Sequence, residues 1–153
     1  MLISIMCLIA GVPTAIIDAR TYRIPNSLSL GSLAAVVLAV CLFYPTQIIA
    51  CLAGAAGGFL SFWGINKVTQ GKLGMGDAKY SAVIGAALGP VGWFWAVLGA
   101  SLLGIIFAGV LHLAGSFSKS TRIPFAPFLF AGSVLSILLA APLSGWLTGG
   151  QFS

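Results

Sequence analysis

The chain has 153 residues, of which 59% are hydrophobic and 6% are charged, and its mean hydropathy is +1.11. A soluble domain carries about 25% charged residues, so this composition excludes a protein that mainly faces water and predicts an all-α protein of the lipid bilayer. The formal net charge of +5 suits anionic lipid headgroups. No basic face is interleaved with aromatic residues, which argues against nucleic acid as a partner.

Glycine, proline and polar breakers divide the chain into six apolar runs, and a membrane-spanning helix needs about 20 such residues. The predicted helices cover residues 2–17, 27–44, 47–66, 77–89, 91–114 and 126–147. No basic segment precedes the first run and no small-residue cleavage site follows it, so we do not interpret it as a signal peptide.

The fourth predicted helix is the exception in length. At a rise of about 1.5 Å per residue it is too short to cross the hydrocarbon layer. We therefore predict a short or broken fourth helix that its neighbours shelter from lipid. No linker divides the sequence, so residues 1–153 are predicted to form one transmembrane helical bundle with six segments.

Every lysine and arginine lies in or beside the first, third or fifth connection between these helices. The positions are 20, 23, 67, 72, 79, 119 and 122. Cytoplasmic connections carry the excess of positive charge in membrane proteins. The alternation thus predicts that these three connections face the cytoplasm and that both termini lie outside.

The only acidic residues in the chain are Asp18 and Asp77. The first ends the first predicted helix and the second begins the fourth, which places both at the cytoplasmic rim of the predicted bundle. Carboxylates in or near a membrane are costly and usually functional. Packed helices bring such ends together, so we predict that the two carboxyl groups meet.

Two neighbouring carboxyl groups hold one shared proton, because like charges at short range do not both ionise easily. The ionised group takes a proton from a water molecule that attacks a peptide carbonyl, while the protonated group donates to the carbonyl oxygen and helps the amine to leave. We therefore expect no metal and no other cofactor. The three cysteines form no Cys-x-x-Cys pair, which is the usual zinc spacing, and His112 is interpreted as a core or interfacial residue.

Three glycines, Gly71, Gly74 and Gly76, directly precede Asp77. Glycine permits positive φ angles and the close approach of another backbone, as an extended peptide substrate would require. We expect the segment 71–76 to be mobile, and the carboxyl groups to be too far apart to share a proton until this segment closes on substrate. Asp77 at a helix start is also favoured by the helix dipole while it is ionised.

The aspartates also have a purely structural interpretation. Asp18 could pair with Arg20 or Arg23, and Asp77 with Lys79, as rim charges that fix the topology. An aspartate at a helix N-terminus is also an ordinary cap. For either residue alone this interpretation is as good as a catalytic one, so position does not decide between them.

Two motifs decide in favour of catalysis: Asp-Ala-Arg-Thr-Tyr-Arg-Ile-Pro-Asn, from Asp18 to Asn26, and Gly-Met-Gly-Asp-Ala-Lys, from Gly74 to Lys79. They resemble the type IV prepilin peptidases, which are intramembrane aspartic proteases of the GxGD type. In that family Ile-Pro-Asn follows the first aspartate, and the second lies in Gly-x-Gly-Asp-x-Lys. Residues 122–128 are similar to the family's Ile-Pro-Phe-Gly-Pro motif, with Ala126 in place of the glycine, and we expect Ala126 to touch no catalytic group.

The resemblance implies that Asp18 and Asp77 are catalytic. It also implies a set of supporting or substrate-binding residues: Arg23, Pro25, Asn26, Gly74, Gly76 and Lys79. The implied function is an aspartic endopeptidase that acts at the cytoplasmic face of the bacterial inner membrane. Its implied substrates are type IV prepilin or pseudopilin precursors, from which it removes a short basic leader that lies ahead of a hydrophobic helix. The chain lacks the cysteine pairs and the room for the family's methyltransferase domain, so it resembles the short, peptidase-only forms of Tad/Flp pilus systems.

Two other functions stay open at this point. A small transporter or channel subunit would use a broken fourth helix and paired aspartates to bind ions or protons. It would also need polar residues at mid-depth, whereas the charges here cluster at one rim. A non-catalytic scaffold would keep the family fold, but it would not need intact aspartates. The sequence assigns no oligomeric state.

Overall fold

The computed structural model describes residues 2–21, 26–70, 74–114 and 125–147, with the backbone alone at 2, 21, 26 and 140–147. These residues form helices and connecting turns, with no strand among them. The elements are α1 (Leu2–Thr21), α2 (Asn26–Phe43), a 3-10 turn (Pro45–Gln47), α3 (Ile48–Val68), α4 (Met75–Leu113) and α5 (Ala126–Leu147). The prediction of an all-α chain is confirmed for this part of the molecule.

Helix α4 contains the fourth and fifth predicted helices, joined at a sharp bend. Gly89 has φ 69° and ψ 178°, a combination that is essentially restricted to glycine. The indole Nε1 of Trp93 donates a hydrogen bond of 2.8 Å to the hydroxyl of Ser81, 12 residues earlier. In a straight helix these residues would be about 18 Å apart, so the chain folds back at Gly89. We call residues 75–88 α4a and residues 90–113 α4b.

The short helix α4a lies at the centre of the described bundle. Helix α4 contacts each of the other four helices, and every residue of α4a from Tyr80 to Ala86 is buried. This agrees with the prediction that neighbouring helices shelter a short fourth segment. Because the surrounding helices cover nearly all of α4a, their packing determines where α4a lies.

Small residues allow α3 and α4a to pack backbone against backbone. A Cβ atom on Gly54 would overlap the carbonyl group of Gly85, and one on Gly58 would come within 2.5 Å of the carbonyl oxygen of Ser81. Small residues four positions apart on two facing helices are typical of close packing inside membranes. This contact fixes the depth of α4a and therefore the position of Asp77 near its start.

Consecutive helices run in alternating directions, so the two aspartates lie at one end of the bundle. The last turns of α3 meet the start of α5, where the rings of Phe62 and Phe125 are 6.0 Å apart between centroids. At the opposite end a cavity of about 310 Å³ lies between the start of α1, the end of α2 and residues 86–89. We call the first of these the aspartate end.

Within the described residues, three helical segments are long and apolar enough to cross a membrane: Ile3–Arg20, Pro45–Val68 and Met75–Leu113. Two shorter apolar helices, Ser27–Phe43 and Ala126–Leu139, accompany them. An all-α membrane protein is therefore supported, while the count of six spans stays a prediction. One predicted boundary is wrong by four residues: α1 continues to Thr21 instead of ending at residue 17.

Candidate active site

Asp18 lies on α1, one turn before the helix ends, and only 5% of its surface is exposed. The expectation that it ends the first helix is therefore wrong, because the helix continues past the apolar run into polar residues. Its carboxylate Oδ2 accepts a hydrogen bond of 3.2 Å from the backbone N–H of Ala126. Ala126 is the first residue of α5, so the carboxylate faces the positive end of a helix dipole.

Asp77 is the third residue of α4 and is 8% exposed. Its carboxylate accepts a hydrogen bond from the backbone N–H of Gly74, and its own backbone N–H donates to the carbonyl oxygen of Gly74 at 3.1 Å. This reciprocal arrangement caps the N-terminus of α4. It also points the carboxylate toward the helix end instead of along the helix side.

The fold places the two aspartates, from distant parts of the sequence, at the same end of the bundle. The charge of Asp18 acts on Asp77, and both carboxyl groups are largely withdrawn from water. Each also faces the N-terminus of a helix, α5 for Asp18 and α4 for Asp77. Two carboxyl groups that interact in a low-dielectric site do not both ionise easily, which suits one of them to act as an acid and the other as a base. The expectation that they share a proton only after closure on substrate stays a prediction.

The rim-charge interpretation of Asp18 fits this geometry less well. Arg20 is exposed while Asp18 is buried, and Asp18 accepts its hydrogen bond from the backbone N–H of Ala126. A carboxylate that only fixed topology would have no need of a buried position. Arg23 lies outside the described residues.

Ala126 is the contact that the sequence prediction missed. The expectation that it would touch no catalytic group is wrong, since its backbone N–H binds the Asp18 carboxylate. The residue itself is fully buried, and the rings of Phe125 and Phe128 lie 6.5 Å apart beside it. The available signal was Ala126-Pro127, because proline is favoured in the first turn of a helix and exposed backbone N–H groups at that point bind anions.

Gly74 lies against the Asp77 carboxylate, and its predicted role in the site stays a prediction. A Cβ atom there would lie 3.2 Å from Oδ2 of Asp77, so glycine leaves room for the carboxylate. Its φ angle is −65°, which any residue can adopt, so this position does not use the positive φ that glycine permits. Residues 71–73 lie outside the described part of the chain, so the mobility of the segment and its closure on substrate stay predictions.

The remaining predicted site residues are placed as follows. Gly76 lies in the first turn of α4, beside Asp77, and Lys79 is half-buried on the same helix. Pro25 and the side chain of Asn26 fall outside the described residues. Within the part of the chain that is described, no three His, Cys, Asp or Glu side chains are grouped as metal ligands would be.

Comparison with known proteins identifies a family. Residues 1–109, which include both aspartates, match the type IV leader peptidase family. The chain is 35% identical over 124 residues to the prepilin leader peptidase/N-methyltransferase of Bacillus subtilis (strain 168), which is 81% of this chain and 50% of that protein. No solved structure matches it.

Two further relatives carry the same name. The protein of Aeromonas salmonicida (strain A449) is 35% identical over 98 residues, or 61% of this chain and 34% of that protein. The protein of Xanthomonas campestris pv. campestris is 37% identical over 83 residues, or 51% of this chain and 29% of that protein. The chain thus spans half or less of the length of these curated relatives.

Proposed function

The chain belongs to the type IV leader peptidase family, and on that premise we propose that it is an aspartic endopeptidase that removes the leader peptide from type IV prepilin or pseudopilin precursors. The observation that supports this proposal is that Asp18 and Asp77 are both buried at the same end of the bundle, each beside the N-terminus of a helix. The curated relatives are named as both peptidase and N-methyltransferase, and we propose the peptidase activity alone.

In the proposed reaction the two carboxyl groups divide the acid and base roles. One carboxylate takes a proton from a water molecule as the oxygen of that water attacks the scissile carbonyl carbon. The protonated partner donates to the carbonyl oxygen, and a proton then reaches the amine as the C–N bond breaks. The backbone N–H of Ala126 donates to Asp18 and that of Gly74 donates to Asp77, and in this proposal these hydrogen bonds orient the two carboxyl groups.

We further propose that the aspartate end faces the cytoplasm of a bacterial inner membrane. Arg20, Lys67 and Lys79 are placed at this end by the ends of α1 and α3 and the start of α4. An excess of lysine and arginine marks the cytoplasmic side. With α4a as a partial span, six segments and alternating directions would then leave both termini outside.

Reconstitution tests the function directly. The purified chain is placed in lipid vesicles with a prepilin, and leader removal is followed by mass spectrometry of the product. We expect one cut at the leader junction, producing a new N-terminus. Intact prepilin after long incubation would reject the proposal, and proton or ion leakage from the same vesicles without cleavage would favour a transporter.

A further inference from the structure

A second cavity lies between α2, α3 and α4a, on another side of α4a from the cavity at the opposite end. Its volume is about 410 Å³. Most of its lining is aliphatic or aromatic, with Leu30 and Leu33 from α2, Ala55 and Phe59 from α3, and Ala82 from α4a. We call it the α2–α3 cleft. Among the main helices α2 and α3 touch only lightly, which leaves this space unfilled.

The α2–α3 cleft begins at the aspartate end and opens to the side. Lys79, two residues after Asp77, lines it, and Ala82 lies one turn deeper into the bundle. Leu30 is 55% exposed and Ala56 is exposed as well, so the cleft communicates with the lipid-facing surface. An apolar segment in the bilayer could therefore enter it laterally, without passing through water.

Ser29 is a polar residue in the cleft wall. It is 2% exposed, and its buried Oγ has no hydrogen-bond partner among the described residues. A buried hydroxyl without a partner is rare and unfavourable, and a bound substrate could supply one. The hydroxyl occupies one of three staggered positions and can turn toward a group in the cleft.

An apolar helix that starts at the aspartate end would supply such a group. The first N–H groups of any helix have no intrahelical acceptor, and a serine oxygen commonly accepts from them. Ser29 lies in the first turn of α2, at the depth where such a segment would begin. Extended residues, at about 3.3–3.6 Å each, would link that point to a peptide bond held over the start of α4a at Asp77.

We propose that the α2–α3 cleft binds the apolar segment that follows the scissile bond of the substrate, and that Ser29 accepts a hydrogen bond from the first turn of that segment. This inference rests on the proposed function, and it assigns the two sides of the scissile bond to different parts of the site. The bond lies at the two aspartates, and the apolar segment descends between α2 and α3. Ser29 is a positioning residue and takes no part in the chemistry.

Kinetics with two substrates tests the cleft. The first substrate is a full prepilin in vesicles, and the second is a water-soluble peptide with the same cleavage site that ends before the apolar segment. Leu33→Trp fills the cleft, and Leu38→Trp is the matched control because Leu38 is 60% exposed on the same helix and does not line it. We expect Leu33→Trp to lower kcat/KM for prepilin about tenfold or more, mainly through KM, and to leave the short peptide unaffected.

Ser29→Ala should lower kcat/KM for prepilin about two- to tenfold, again without effect on the short peptide. Ser29→Thr keeps a hydroxyl and should retain a larger part of the wild-type kcat/KM than Ser29→Ala does. The expectation for Leu38→Trp is wild-type kinetics with both substrates. Wild-type cleavage of prepilin by Leu33→Trp would overturn the proposal. So would equal losses on both substrates, because they would indicate a general disturbance of the fold.

Cross-linking tests occupancy without relying on turnover. In an Asp77→Asn background with Cys41 replaced by serine, Leu33→Cys should form a disulfide with a prepilin that carries one cysteine in its apolar segment, and Leu38→Cys should not. If wild-type protein cleaves prepilin but position 33 forms no cross-link, the assignment of the cleft is wrong, while the proposed peptidase function remains supported. If wild-type protein does not cleave prepilin, the proposed function itself fails.

Discussion

The two halves of α4 are similarly apolar in sequence, yet they occupy opposite surroundings. From Tyr80 to Ala86, α4a is fully buried and contains mostly small residues. In α4b large side chains face outward, with Ile105 69% and Ile106 62% exposed. Lipid is as apolar as a protein core, so hydrophobicity does not distinguish these halves, whereas residue size does. Small residues mark the helix that carries the site, because they let other backbones surround it.

Substitution of Gly85 should have the largest effect, and it tests whether close packing of small residues distinguishes α4a from α4b. In Gly85→Val the new side chain would overlap the backbone of Gly54, so α3 and α4a must separate. We expect loss of the folded protein in detergent, or a drop in melting temperature of at least ten degrees, about 3 kcal/mol or more. The matched control is Gly109→Val on α4b, where a Cβ meets nothing within 4 Å. Equal stability of the two variants would show that close packing of α4a is unimportant.

Substitution of Gly74, at the start of α4a, should lower activity without lowering stability. A valine there places Cβ 3.2 Å from Oδ2 of Asp77 and must displace the carboxylate. Because small misplacements of catalytic groups are costly, we expect cleavage to fall about 10–100-fold while the melting temperature changes little. Gly31→Val, where a Cβ meets nothing within 4 Å, should keep full activity. A Gly74→Val enzyme with wild-type turnover would argue that the carboxylate position seen here is not the working one.

Gly89 tests the bend between the halves. Its φ of 69° disfavours any side chain, although a Cβ there would meet nothing within 4 Å. Gly89→Ala should therefore lower the free energy of unfolding by about 1–3 kcal/mol through backbone strain alone. Thermal or denaturant unfolding in detergent measures this, with Gly109→Ala as the control. A neutral result would mean that residues 88–90 adopt another conformation.

The smallest expected effect concerns the hydrogen bond that joins the halves. Ser81→Ala removes the acceptor of the Trp93 Nε1–H and should cost about 0.5–1.5 kcal/mol of stability. Trp93→Phe removes the donor, and the double variant should lose less than the sum of the two. Strict additivity in this cycle would indicate that the bond contributes nothing to holding α4b against α4a.

The sequence predicted the features that depend on local pattern. Apolar runs located the helices, and Gly89-Pro90 marked the break inside α4, because glycine and proline interrupt helices for local reasons. The end of α1 was misplaced because a helix continues beyond its apolar stretch whenever no breaker follows, and here it continues through Arg20 to Thr21.

Features that depend on distant contacts were predicted incompletely. The location of Asp18 and Asp77 at one end of the bundle was predictable from the alternating direction of consecutive helices, whereas the contact between the two carboxyl groups stays a prediction. The contact between Asp18 and Ala126 joins residues 108 positions apart, and no local pattern encodes which helix start will approach which side chain. The α2–α3 cleft was not predicted either, since it results from the loose contact of two helices.

The central claim is that Asp18 and Asp77 act as one catalytic unit. Asp18→Asn and Asp77→Asn test it in the reconstituted prepilin assay, since asparagine keeps an oxygen that can accept the backbone N–H bonds of Ala126 and Gly74. We predict that each variant folds with a melting temperature near that of the wild type and releases no leader above background. When two groups act as a unit, the loss of either one abolishes the activity. Sustained cleavage by either well-folded variant would contradict the account.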